Sequence, residues 1–122
     1  MSHVLEHLIK PDFFLSRIKD NMEDDGLFFI EVPNCEYEPM LQSSIEKNPH
    51  LYHFTKKALT KLVENAGYKI VSCDVFRPAT KNEGMKHKIL KNSFPYYPRI
   101  LTDVHNGRDL RVILKNLSLI HI

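Results

Sequence analysis

Hydrophobic spacing along the chain changes several times, and each change marks a structural element. After Pro11 and Asp12, residues Phe13, Phe14, Leu15, Ile18 and Met22 recur at intervals of three and four, which predicts an amphipathic helix of about three turns. Asp24-Asp25-Gly26 ends that helix, with Gly26 expected to supply the positive-φ position. Leu27-Phe28-Phe29-Ile30-Glu31-Val32 is almost continuously apolar and predicts a strand covered on both faces, stopped by Pro33 and Asn34. The aromatic pairs Phe13-Phe14 and Phe28-Phe29 are expected in the core. Residues 35–53 show no clear period beyond a short helix over Met40 to Ile45.

Thr55 is placed to cap a further helix, with Leu59, Leu62, Val63 and Ala66 on one face and Gly67 closing it. Tyr68 to Phe76 alternates, with Val71, Cys73 and Val75 sharing a face, and Leu110 to Leu114 predicts a second strand pairing antiparallel with it. Between them, residues 77–108 contain Pro78, Pro95, Pro98, Gly84 and Gly107, and are expected to form an irregular insertion with a helical turn around Met85 to Lys91. The order helix, strand, helix, strand, strand is an α/β pattern, but its buried strand needs a neighbour. Met1 to Leu5 reads as the end of such a strand with its beginning removed, so residues 1–122 are expected to be the C-terminal portion of a single domain.

Composition narrows the class without naming it. The chain has 122 residues, 43% hydrophobic and 26% charged, the proportions of one globular domain. A net charge of +2 is no signal for a nucleic-acid partner. Residues 1–76 hold eight basic and twelve acidic side chains, whereas residues 77–122 hold nine and three. The late basic residues Lys81, Lys86, Lys88, Lys91, Arg99, Arg108 and Arg111 suit either solvated surface or an anionic substrate such as a nucleotide-sugar or phosphorylated glycan. Cys35 and Cys73 lack metal-site spacing and read as free thiols. No apolar stretch reaches membrane-spanning length and no signal-peptide core is present, so no membrane partner and a cytoplasmic location are expected. The oligomeric state is not legible.

His3, Glu6 and His7 stand at i, i+3 and i+4, so a helical turn there would bring all three to one face. The same residues spell H-x-x-E-H, the inverted zinc-peptidase signature, with His3 and His7 as ligands and Glu6 as general base. Against a peptidase, Pro11 stands four residues past His7, too close for the long supporting helix such a site needs.

Four motifs in order then carry a resemblance: S-H-V-L-E-H-L at 2–8, D-G-L-F-F-I-E-V-P-N at 25–34, H-L-Y-H-F-T-K-K-A-L at 50–59 and A-G-Y at 66–68. The chain resembles the class I S-adenosylmethionine-dependent methyltransferases. The resemblance implies part of a three-layer, Rossmann-like sheet with an antiparallel C-terminal strand pair. The first motif would follow the family's fourth strand, E-V-P-N would end its fifth, and Leu110 to Leu114 would be the antiparallel strand beside the fifth. S-adenosylmethionine is the implied cofactor, contacted by Ser2 and His3, with Asn34 and His53 beside the substrate and His7 or His50 as the base.

Some members bind magnesium or a similar divalent metal through E-x-x-E-H. Here Glu6 and His7 match, His50 matches a later histidine of those enzymes, and His3 replaces the first glutamate. The plainer account is that Glu6 and His7 cap a loop. The family's Gly-rich loop is missing, since the glycines are Gly26, Gly67, Gly84 and Gly107. The expected function is methyl transfer to a small-molecule, glycan or nucleic-acid acceptor by the complete domain, with this chain alone binding cofactor weakly. A non-catalytic remnant acting as an interaction module is the rival.

Overall fold

The computed structural model describes residues 1–46, 51–83 and 99–116. A short 3-10 turn, Leu5–His7, precedes helix α1, Pro11–Asp20, whose Pro11 fills a first-turn position where no backbone N–H is needed. Strand β1 is Leu27–Pro33, followed by α2, Glu38–Glu46, and α3, Lys56–Asn65. The remaining strands are β2, Tyr68–Pro78, β3, Arg99–Thr102, and β4, Asp109–Asn116. As expected, Thr55 caps α3, its hydroxyl accepting from the Ala58 N–H at 3.1 Å.

The four strands lie in the order β1-β4-β2-β3, each neighbouring pair antiparallel. The last strand thus inserts between β1 and β2, and those two run parallel. Residues 1–3 extend the sheet beyond β1: Ser2 bridges Glu31 in the parallel sense, and the His3 N–H donates to the Glu31 carbonyl at 2.8 Å. That is the neighbour the buried strand required.

Cross-strand register sorts the side chains into two faces. Ile30 and Val32 of β1 lie beside Val112 and Leu110 of β4, with Cys73 and Val75 of β2 beyond. This face packs on Leu15 of α1 and Leu59 and Val63 of α3, with Leu5 and Phe54 completing one apolar core. Tyr68 is buried within it and donates its hydroxyl to the Leu15 carbonyl at 2.7 Å, which ties α1 to β2.

The opposite face carries Leu27, Phe29 and Glu31 beside Lys115, Ile113 and Arg111. Among the described residues no helix layer covers it. Leu27 is therefore 68% exposed, and β1 is covered on both faces only towards its end, contrary to the sequence expectation. The phenylalanines divide as well. Phe28 stacks on Tyr68 at 6.3 Å, whereas exposed Phe13 and Phe29 lie under the guanidinium groups of Arg17 and Arg111.

Three further expectations are corrected. Register slips by one residue between Ile70, opposite Leu114, and Ser72, opposite Ile113, so Val71 forms a bulge. The slip reverses the alternation, leaving Val71 exposed and giving its expected place beside Cys73 to Ile70. The turn after α1 takes its positive φ at Asp25 (61°); a glycine is needed at Gly26 because a Cβ there would come within 2.9 Å of the Glu23 carbonyl. Finally, the span 77–108 is not irregular throughout: it contains the end of β2, a helical stretch at 81–83 and all of β3. The expected turn around Met85 to Lys91 lies outside the described residues.

Candidate functional site

Residues 1–7, the carboxyl end of β1, the start of β4 and helix α2 meet around an open cavity of about 570 Å³. Ligands of open α/β sheets lie at such strand ends, and this volume suits a small molecule. His3 enters the cavity from a left-handed backbone position, φ 52°, a conformation that side-chain-bearing residues hold only when their surroundings enforce it. Here the enforcement is the bond from its N–H to the Glu31 carbonyl, which turns the chain off the sheet edge.

One wall is a charge network. His3 Nε2 stands 3.1 Å from Glu31 Oε1 and 3.7 Å from Asp109 Oδ1. Ser2 donates its hydroxyl to Glu31 Oε1 at 2.7 Å, and Arg111 Nε donates to Glu31 Oε2 at 2.5 Å. Arg99 Nη1 lies 3.6 Å from Asp109 Oδ2. Burial pushes the Glu31 carboxyl up, but the Ser2 and Arg111 bonds with the charges of Arg111 and His3 outweigh it, and the group titrates below the usual range. Asp109 moves the other way: burial and then the negative charge of Glu31 raise it, against the pull of Arg99, His3 and Arg111.

The other wall begins with Glu6, in the 3-10 turn. Its carboxyl group is 1% exposed, and neither oxygen has a hydrogen-bond partner among the described residues. His7 Nε2 is 3.6 Å from Glu6 Oε1. Behind them Ser44 of α2, buried, shares a 2.9 Å hydrogen bond with His53 Nδ1. Burial raises the neighbouring Cys35 thiol above its ordinary range despite a bond to Ser44, and the charge of Glu6 adds to the rise.

The structure thus brings His3, Glu6 and His7 to one cavity, with Ser2 held beside it by its bond to Glu31. His53 reaches its margin only through Ser44, and His50 lies outside the described residues. Asn34 is corrected most sharply. It is fully buried and does not line this cavity; its side-chain amide donates to the Val104 and Gly107 carbonyls at 2.7 and 2.8 Å, and its oxygen accepts from the Glu36 N–H at 3.2 Å. With donors and acceptor satisfied, it anchors the turn before β4.

The peptidase arrangement is absent. The turn ends at His7, with Leu8 extended, and His3 faces Glu31 and Asp109 rather than sharing a helix face with His7. For a divalent metal, the expected donors Glu6 and His7 stand side by side, with His50 outside the described residues. Another grouping, His3, Glu31 and Asp109, has potential ligand atoms within 4.8 Å of one another. Its two carboxylates already answer Arg111 and Arg99, so the grouping fits an ion-pair network better than a cation site. Sequence reading passed over Glu31 and Asp109. The signal available was Glu31 itself, the lone charge within an otherwise apolar strand.

Residues 1–73 match a protein family described as a methyltransferase domain. No curated protein matches the chain in sequence. Among solved structures, a SAM-dependent methyltransferase from Thermotoga maritima, titled a possible histamine N-methyltransferase, superposes with TM-score 0.66 at 13% identity, covering 96% of this chain and 54% of the other. A SAM-dependent methyltransferase from Archaeoglobus fulgidus gives TM-score 0.65 at 18% identity, covering 94% and 57%. The chain spans little more than half the length of either structure.

Proposed function

The chain belongs to the methyltransferase domain family, and from that premise we propose that it forms the acceptor side of an S-adenosylmethionine-dependent active site. On this reading residues 1–122 are the C-terminal portion of one domain, and the cavity at the end of β1 seats the methyl acceptor. The observation that carries the proposal is the Glu6 carboxylate, buried, without a hydrogen-bond donor among the described residues, facing that cavity beside His7.

His7 suits the part of general base. An imidazole that takes the acceptor's proton becomes a cation, for which Glu6 is a ready counter-charge at 3.6 Å. Cofactor, when bound, supplies an electrophilic methyl group, so the protein's remaining task is to orient the acceptor and exclude water. Ser2 and His3 are the residues here that would face it, where the chain bridges Glu31 in the parallel sense. They fit one edge of a cofactor site only; the chain has no Gly-rich loop to cradle the rest. Free thiols at Cys35 and Cys73 support a reducing, cytoplasmic setting, and among the described residues no helix is long and apolar enough to cross a membrane.

Two measurements test this reading. Calorimetric titration of the 122 residues with S-adenosylmethionine should show weak binding or none; low-micromolar affinity would mean that the cofactor site lies within this chain. In the complete protein, His7→Ala should lower turnover by about 10²–10⁴-fold while leaving the melting temperature nearly unchanged. Equal losses of turnover and stability would return His7 to a structural role, and no methyl transfer by the complete protein would favour the non-catalytic remnant.

A further inference from the structure

We infer that the acceptor taken by this cavity is a small amphoteric molecule, carrying an amine at one end and a carboxylate or similar anion at the other. The inference rests on the reading of the cavity as an acceptor site and assigns its substrate class. Glu6 is the first anchor. A fully buried carboxylate without donors is among the costliest arrangements in a protein, and a ligand that donates to it removes that cost. His7 does not fill the role, since its Nε2 stands at 3.6 Å, beyond hydrogen-bond length. A protonated amine is the strongest donor a ligand can bring, because both partners are then charged.

Arg108 is the second anchor. It is exposed on the cavity wall, and its guanidinium makes no ion pair or hydrogen bond among the described residues. The other two arginines of this region are committed, Arg99 to Asp109 and Arg111 to Glu31. Among the described residues, the cavity therefore presents a carboxylate without a hydrogen-bond donor and a guanidinium without an ion-pair partner, and a ligand with a single charged end would leave one of them unanswered. Pro33, Tyr37 and Met40 also line the cavity and supply apolar wall suited to a short carbon chain.

The test uses the 122-residue chain, without cofactor, titrated calorimetrically at low ionic strength with γ-aminobutyrate and ε-aminocaproate, and with alkylamines and alkyl carboxylates of matched length. At least one amino acid should bind about tenfold or more tightly than both of its one-ended counterparts, as expected when a second charged hydrogen bond is added. Glu6→Gln should reduce that affinity to the level of the carboxylate alone, and Arg108→Ala to the level of the amine alone. Equal affinities for one-ended and two-ended probes, or indifference to both substitutions, would overturn the inference. Thermal melts check that Glu6→Gln is folded; Arg108, being exposed, provides the second variant. The outcome is independent of methyl transfer. Two-ended binding without transfer by the complete protein would remove the methyltransferase reading alone, and transfer to an acceptor lacking either charge would remove this inference alone.

Discussion

Glu31 and Asp109 face the same imidazole, at 3.1 and 3.7 Å from His3 Nε2, yet their titrations are displaced in opposite directions. Glu31 has a direct donor on each oxygen, from Ser2 and Arg111, whereas Asp109 has its arginine at 3.6 Å and Glu31 as a repelling neighbour. Glu31 ionised thus stabilises the fold, by an amount present above its unfolded-state pKa and lost as pH falls through the lowered native one. For Asp109 the native state holds its proton more tightly than the unfolded chain, so ionisation costs stability as pH rises through that interval.

Glu31→Gln should therefore destabilise near neutral pH by about 1–3 kcal/mol, the worth of a hydrogen bond to a charged group, with the deficit shrinking in acid. Asp109→Asn should instead leave neutral stability equal or higher, with the gain vanishing in acid. Urea midpoints of the three proteins at both pH values check the signs, and a neutral-pH loss in Asp109→Asn as large as that of Glu31→Gln would contradict them.

Asn34 gives a stability prediction at a place where binding was expected. Asn34→Ala strands the Val104 and Gly107 carbonyls and the Glu36 N–H, and should cost about 2–4 kcal/mol, several buried groups losing partners together. Limited proteolysis should then cut the turn between β3 and β4 first. Unchanged melting with lost ligand binding would restore the substrate role.

Tyr68 sets the alkaline limit. Burial, helped by the charge of Asp20, raises its hydroxyl to about 12. The native state then retains a proton that the unfolded chain releases near pH 10, so stability falls between about pH 10 and 12, by about 2–3 kcal/mol for this group. Tyr68→Phe, followed by chemical denaturation across that range, should show a shallower decline than the parent protein.

Gly107 and Gly67 separate crowding from conformation. A Cβ at Gly107 would lie 2.1 Å from Val75 Cγ1 and 2.9 Å from the Phe76 carbonyl, so core and backbone must both move. At Gly67, φ 93°, the contact is the flexible Lys19 side chain at 2.9 Å and the penalty is conformational. Gly107→Ala should cost about 3 kcal/mol or more and Gly67→Ala about 1 kcal/mol, read from thermal or urea unfolding. Equal losses would mean that the turn at Gly107 yields more than its packing allows.

These contrasts mark what the sequence made legible. Helices α1 and α3, strand β1 and the pairing of β2 with β4 follow from periodicity and capping residues, which act within a few positions of one another. His3, Glu6 and His7, singled out by their spacing, line one cavity, while His50, expected to join Glu6 and His7, lies outside the described residues. The bulge at Val71 escaped because it is a property of the β2–β4 ladder, while the apolar residues Val71, Cys73 and Val75 alternate in sequence as a regular strand would. Asn34 looked available for substrate because the carbonyls that consume its amide come from residues seventy positions and more away. Glu31 and Asp109 acquire meaning only through Arg111, Arg99 and His3, which register, rather than spacing, brings together.

The place of β4 also orders the birth of the sheet. Both of its neighbours, β1 and β2, leave the ribosome before it does, so until Asp109–Asn116 emerges they share no hydrogen bond and each shows an open edge. The nascent chain must carry two half-finished sheet fragments, bridged by a core already partly apolar, and the eight residues of β4 convert them into one unit in a single late event. Pairings this distant in sequence form slowly, and the waiting edges invite association with other nascent chains. Ribosome-stalled chains ending before Asp109 should be protease-sensitive throughout β1 and β2, and protection should arrive for both strands together.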